Sequence, residues 1–355
     1  MVLRYLRRTC GLILALGFAL AVVPAIPEAA ALDLPERWPA VQGGGTQGQE
    51  VRFPTASPFS LAEVAARAAP ADEALGHFFL PDGASADAPV PAVVMLHGAG
   101  GIQGAREMTY GAQFADMGIA ALVIDVFGAR RDIATGFVNR LINITESAMV
   151  TDAYAALAWL DARPEIDADR VVLIGFSYGA MSTVFAAYEQ VADLFAAPGE
   201  PRFAGHIAFY GPCIARFRDA RTTGAPVLFL SGGRDAIVDQ ERCAEIQDDL
   251  RRGGSRVENI VYPEGMHQWD GHFGSPRMIG RNLAPCRLEV APDFSVTDLR
   301  STLPMANTFF RKVILGLCAG SEGYMIGRDD AVRSRSNQEI GRFLEEVLGQ
   351  GDGAS

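Results

Sequence analysis

A mostly parallel β-sheet with helices on both faces, an α/β architecture, is the fold class this sequence predicts. Short apolar runs rich in Val, Ile and Ala recur at residues 91–96, 119–126, 170–174, 204–210, 225–230 and 256–262. Amphipathic stretches separate them; residues 147–162 carry Met149, Val150, Ala153, Ala156, Leu157 and Leu160 at helical spacing. Strands that are apolar throughout, rather than alternating, are buried on both faces, and that requires helical layers above and below a parallel sheet.

Taken in order, residues 1–31 read as a secretory signal. Arg4, Arg7 and Arg8 form a basic start, and the apolar stretch 12–23 is too short to span a bilayer. Ala29-Ala30-Ala31 offers a cleavage site, so the mature chain would start near Leu32 and work in the periplasm or outside the cell, with no membrane span after cleavage. Residues 32–73 read as a Pro- and Gly-containing arm followed by a first strand at 51–55 and a short helix at 61–69. A second strand follows at 74–80. From there to residue 355 one large domain is expected, interrupted by a less regular insertion at about 271–330 and closed by a helix at 337–348. Helices are also expected at 107–117 and 238–251.

The chain has 355 residues and a net charge of −11. Losing three Arg and one Glu with the signal takes it to −13. An acidic chain argues against nucleic acid and anionic membrane as partners, and against a highly anionic substrate, although a local Arg could still bind one carboxylate. Cys10 leaves with the signal. Cys213, Cys243, Cys286 and Cys318 remain, an even number in an exported chain. They allow three pairings, with four free thiols as the alternative; Cys213–Cys243 and Cys286–Cys318 are the expected pairs. Their spacing matches no zinc site.

The chemistry centres on Gly175-Phe176-Ser177-Tyr178-Gly179, which follows the apolar run 171–174 and precedes a helix-forming stretch. Strand, sharp turn and helix make G-x-S-x-G a nucleophile elbow, with Ser177 lifted at the strand's C-terminal edge. The helix N-terminus behind it favours developing negative charge. Nucleophile, acid and base follow in that order along such chains. His267 follows the strand end at Tyr262 after the four-residue loop Pro263-Glu264-Gly265-Met266 and is the expected base, with His272 as runner-up. Asp235, in the exit loop of the preceding strand, is the expected acid; Asp239 fits a helix cap better. His97-Gly98-Ala99-Gly100-Gly101 is an oxyanion-hole loop, whose Ala99 amide would act with the Tyr178 amide. Each such donor lowers the barrier by roughly 3–4 kcal/mol. His97 itself reads as a loop anchor.

These pieces, together with Asp125-Val126-Phe127-Gly128, Arg130, Gly232-Gly233-Arg234-Asp235 and Tyr262-Pro263-Glu264-Gly265-Met266-His267, resemble the dienelactone hydrolase family of α/β-hydrolases. The resemblance spans roughly residues 75–270 plus the terminal helix. It implies an α/β-hydrolase domain that cleaves esters or lactones without a metal or other cofactor. Family members that open dienelactones use a cysteine nucleophile where this chain has Ser177, which separates it from that substrate. The expected activity is an exported serine esterase acting on a small-molecule ester or lactone, with Phe127, Arg130 and Trp269 as pocket candidates. Acyl transfer or peptide hydrolysis on the same triad, and a non-catalytic binding protein on this scaffold, are the rival readings.

Overall fold

A computed structural model of the chain describes Trp38 and residues 47–349. The signal segment, Cys10 and most of the arm lie outside the described residues. The central sheet has eight strands: β1 Gln49–Ala56, β2 Ala71–Phe79, β3 Val90–Leu96, β4 Ala120–Ile124, β5 Ile166–Phe176, β6 Gly205–Phe209, β7 Val227–Gly232 and β8 Val257–Tyr262. Their spatial order is β1-β2-β4-β3-β5-β6-β7-β8. β1 and β2 pair antiparallel, as do β2 and β4; all other neighbours are parallel. The mostly parallel α/β sheet read from the sequence is therefore the fold. β4 and β6 are buried at every position, and β3 at all but its first, so both faces of the sheet are covered.

Besides the single turns Val126–Ala129 and Glu189–Ala192, the helices are α1 Leu61–Ala65, α2 Thr109–Asp116, α3 Phe137–Asn143, α4 Glu146–Asp161, α5 Tyr178–Ala186, α6 Gln240–Gly253, α7 Thr308–Cys318 and α8 Asp330–Leu348. Helices α3 and α7 have no counterpart among the expected helices, α1 ends four residues early, and the starts of α2 and α8 differ from expectation. A wide π-type turn at Gly104–Met108 precedes α2, because adjacent Arg106 and Glu107 are both buried and face inward together. Helix α8 begins seven residues before the expected start. Its first two turns are mostly polar and carry little apolar periodicity, but Asp329 caps them by accepting from the amides of Ala331 and Val332.

The segment 271–329 holds α7 and short strands. Leu288–Val290 pairs with Ala215–Phe217 and with Val296–Asp298, while Arg277–Ile279 pairs with Tyr324–Ile326. Both disulfides are present as paired above: Cys213–Cys243 joins the segment after β6 to α6, and Cys286–Cys318 closes the segment beneath α7. Trp38 is buried edge-on against Tyr110 and Phe114. No helix among the described residues is long and apolar enough to cross a membrane.

His206 on β6 is fully buried, and neither ring nitrogen has a hydrogen-bond partner among the described residues. Burial depresses its pKa from 6.5 to about 3. The ring charges readily in the unfolded chain and resists charging in the fold. Its contribution to stability is therefore complete above about pH 6.5 and is lost as the pH falls toward 3, at about 2 kcal/mol by pH 5. His206→Leu is expected to flatten this acid limb, read as a smaller drop in urea midpoint between pH 7 and pH 5 than the wild type shows.

Candidate active site

The elbow forms because glycines at 175 and 179 let three backbone segments meet. Ser177 sits at φ 54° and ψ −109°, and its amide donates to Phe209 O at 2.8 Å. A Cβ at Gly175 would lie 2.3 Å from Gly179 O and from Thr183 Oγ1. A Cβ at Gly179 would lie 2.3 Å from Leu96 O. Helix α5 thus starts in contact with the exit of β3, and this contact holds the Ala99 loop beside the serine. Left-handed backbone is uncommon outside glycine and collects where a site stores strain. Six non-glycine residues adopt it among the described residues, and three of them, Ser177, Tyr210 and Gln268, belong to this site or adjoin it in the chain.

His267 Nε2 lies 2.9 Å from Ser177 Oγ, and its Nδ1 lies 2.7 Å from Asp235 Oδ2. Both His267 and Asp235 are buried, and Ser177 is 7% exposed. The His267 backbone is held from both sides: its amide donates to Met325 O at 3.1 Å and its carbonyl accepts from the Gly327 amide at 3.0 Å. Asp235 also accepts from the Ile237 amide at 3.2 Å. The structure therefore brings together the three residues named from sequence. Asp239 caps α6 and pairs with Arg287 at 2.6 Å. His272 pairs with Gln103 at 2.8 Å, away from the serine. His97 is buried with Nδ1 2.8 Å from Gly98 O, and burial lowers its pKa, as suits a neutral anchor.

A cavity of about 370 Å³ opens on Ser177. Ala99 and Tyr178 line it, with α3 and α7 contributing further walls and Arg281 and Lys312 reaching it from the segment 271–329. Neither the Ala99 nor the Tyr178 amide donates to another residue among the described residues. The three pocket candidates are a correction, since none of them lines this cavity. Phe127 packs on the His97 ring, with Arg140 over its other side. Arg130 is buried in a two-pronged ion pair with Asp152 at 2.7 and 2.9 Å, bracing α4 against the β1 exit. Trp269 is buried among Phe209, Tyr210 and Tyr262 and donates to Ser336 Oγ.

Sequence reasoning missed a buried polar layer behind the base. Arg106 pairs with Glu107 and donates to the Tyr210 hydroxyl at 3.2 Å; that hydroxyl donates to Asp270 at 2.6 Å. The Tyr210 ring stands edge-on to His267 at 4.7 Å. Burial pushes the Asp270 carboxyl up, partly opposed by Arg106. The available signal was two adjacent opposite charges, Arg106-Glu107, at the head of a helical stretch.

The sequence profile of the dienelactone hydrolase family matches residues 78–272. A Salmonella typhimurium protein named "Putative carboxymethylenebutenolidase" is 25% identical over 152 residues, which cover 40% of this chain and 52% of that protein. An Escherichia coli protein of the same name is 24% identical over the same shares. The chain spans about half the length of these curated relatives. Among solved structures, a dienelactone hydrolase-like promiscuous phosphotriesterase from metagenomic libraries aligns over 85% of this chain and 99% of its own, with 18% identity and a TM-score of 0.49. Apo Thermogutta terrifontis esterase 2 aligns over 56% of this chain and 81% of its own, with 19% identity and a TM-score of 0.42.

The matched span ends at residue 272, so α7 and Arg281 lie outside it. Arg311 of α7 is buried and grips Glu146 with two hydrogen bonds, 2.9 and 2.8 Å long. It also donates to the Leu141 carbonyl at 2.7 Å and to the Tyr178 hydroxyl at 3.1 Å. One guanidinium thus ties α7 to α3, to α4 and to the residue after the serine. Truncating it strands a buried carboxylate, which costs about 3–5 kcal/mol. Arg311→Met is expected to lower stability by that order in urea melts. Adding Glu146→Gln is expected to recover part of the loss, read as a coupling term in a double-mutant cycle.

Proposed function

The chain belongs to the dienelactone hydrolase family, and on that premise we propose that it is an exported serine hydrolase cleaving a carboxylic ester or lactone through an acyl-enzyme. The observation that carries this reading is the continuous relay Asp235–His267–Ser177, at 2.7 and 2.9 Å, opening on a largely apolar cavity. Ser177 Oγ attacks the acyl carbonyl while His267 Nε2 takes its proton. Asp235 accepts from Nδ1–H, fixes the tautomer and stabilises the imidazolium. The Ala99 and Tyr178 amides receive the oxyanion. Collapse of the tetrahedral species breaks the bond to the leaving alcohol, which takes the proton from His267. Water then repeats the sequence on the acyl-enzyme and releases the acid. The two disulfides support a working place outside the reducing cytosol, periplasmic or secreted.

Labelling with a fluorophosphonate probe and turnover of p-nitrophenyl acetate test this on one set of samples. Wild type is expected to label and turn over, and Ser177→Ala to do neither. Asp235→Asn is expected to fold and to lose kcat by about a thousandfold or more, through the wrong imidazole tautomer. A folded wild type that neither labels nor turns over would favour a binding protein on this scaffold.

A further inference from the structure

We propose that the cavity at Ser177 selects esters whose acyl chain is apolar and ends in a carboxylate remote from the scissile bond, and that Lys312 and Arg281 hold that anion. The inference deepens the serine-hydrolase reading and rests on it. Its ground is a local inversion of charge. The chain carries 42 acidic against 31 basic residues. Yet two cations and no carboxylate line the cavity. Lys312 is the single lysine in 355 residues.

These two cations are also free. Most arginines around them are engaged: Arg311 grips Glu146 and Arg287 grips Asp239. Lys312, the next residue on α7, makes no ion pair or hydrogen bond among the described residues, and nor does Arg281. Both are solvent-exposed, so each keeps its hydration until a ligand arrives. The rest of the wall is mainly apolar, including Phe137, Leu141, Leu283 and Leu315. An alkyl chain lying on that wall buries its length there, while a terminal anion finds opposite charge only at the two cations. A guanidinium can take a carboxylate in two parallel hydrogen bonds, and an ammonium adds a point charge beside it. Against an apolar wall this attraction is screened less than on an open surface. Both residues lie beyond residue 272, where the family-matched span ends, so the match itself does not carry this selectivity.

The test compares two p-nitrophenyl esters of equal acyl length, the octanoate and the hydrogen suberate, which differ in a terminal methyl against a terminal carboxylate. The readout is the ratio of kcat/KM for suberate over octanoate, in wild type and in the doubly substituted Lys312→Met, Arg281→Met protein. We expect the ratio to fall by about tenfold in the double variant, as hydrogen bonds to charged groups are worth. We also expect it to fall in the wild type as salt rises. A ratio that the double variant leaves within about twofold of wild type overturns the assignment. Octanoate turnover and Ser177 labelling report the hydrolase reading separately; their absence in folded wild type sinks that reading, and this proposal with it.

Discussion

Everything at this site depends on the contact between the start of α5 and the exit of β3. With Leu96 O sitting where a Gly179 Cβ would be, the two segments are as close as backbone allows. That closeness sets the Ala99 loop beside Ser177, and Ala99 and Tyr178 both line one cavity. The serine's left-handed φ is tolerated because its amide bond to Phe209 and the helix that follows over-determine it. Asp235 and His267 then need only come from the strands that follow at the same edge, and the exits of β7 and β8 deliver them.

The segment 271–329 completes what the sheet begins. It covers the cavity with α7 and holds His267 through strand 324–326 and the residue after it. Three devices hold it down: the Cys286–Cys318 bridge, the buried Arg311–Glu146 pair, and pairing of Leu288–Val290 with Ala215–Phe217. A buried ion pair contributes little net stability for its desolvation cost, but its geometry is demanding. Arg311 therefore matters mainly for where it fixes α7 relative to Tyr178.

The sheet was legible in the sequence because buried parallel strands are apolar without interruption, and each of the eight was found within a few residues. Ser177, Asp235 and His267 were legible because each follows a strand end, a position that the chain order dictates. The pocket was not. Phe127 and Trp269 were chosen for their chemistry, yet a large aromatic beside a motif is more often packing, and both pack. Arg130 was chosen by resemblance, and Asp152 claims it. The residues that do line the cavity come from a stretch with weak periodicity, where only folding brings Arg281, Lys312 and Tyr324 to Ser177. The start of α8 escaped notice for the opposite reason: a polar helix held by its cap leaves no apolar stripe to read.

The way His267 is pinned bears on how such a site can diverge. Its amide and its carbonyl are both spent on Met325 and Gly327, at the far end of the added segment. Between Arg277 and Tyr324 the chain makes no backbone bond to the base, so insertions, deletions and drift there can remodel the roof while the triad keeps its shape. At the return strand the same freedom vanishes, because losing it would release the base. The segment 271–329 is thus replaceable in its middle and constrained at its end, so the roof over the cavity can change shape while the hold on His267 stays.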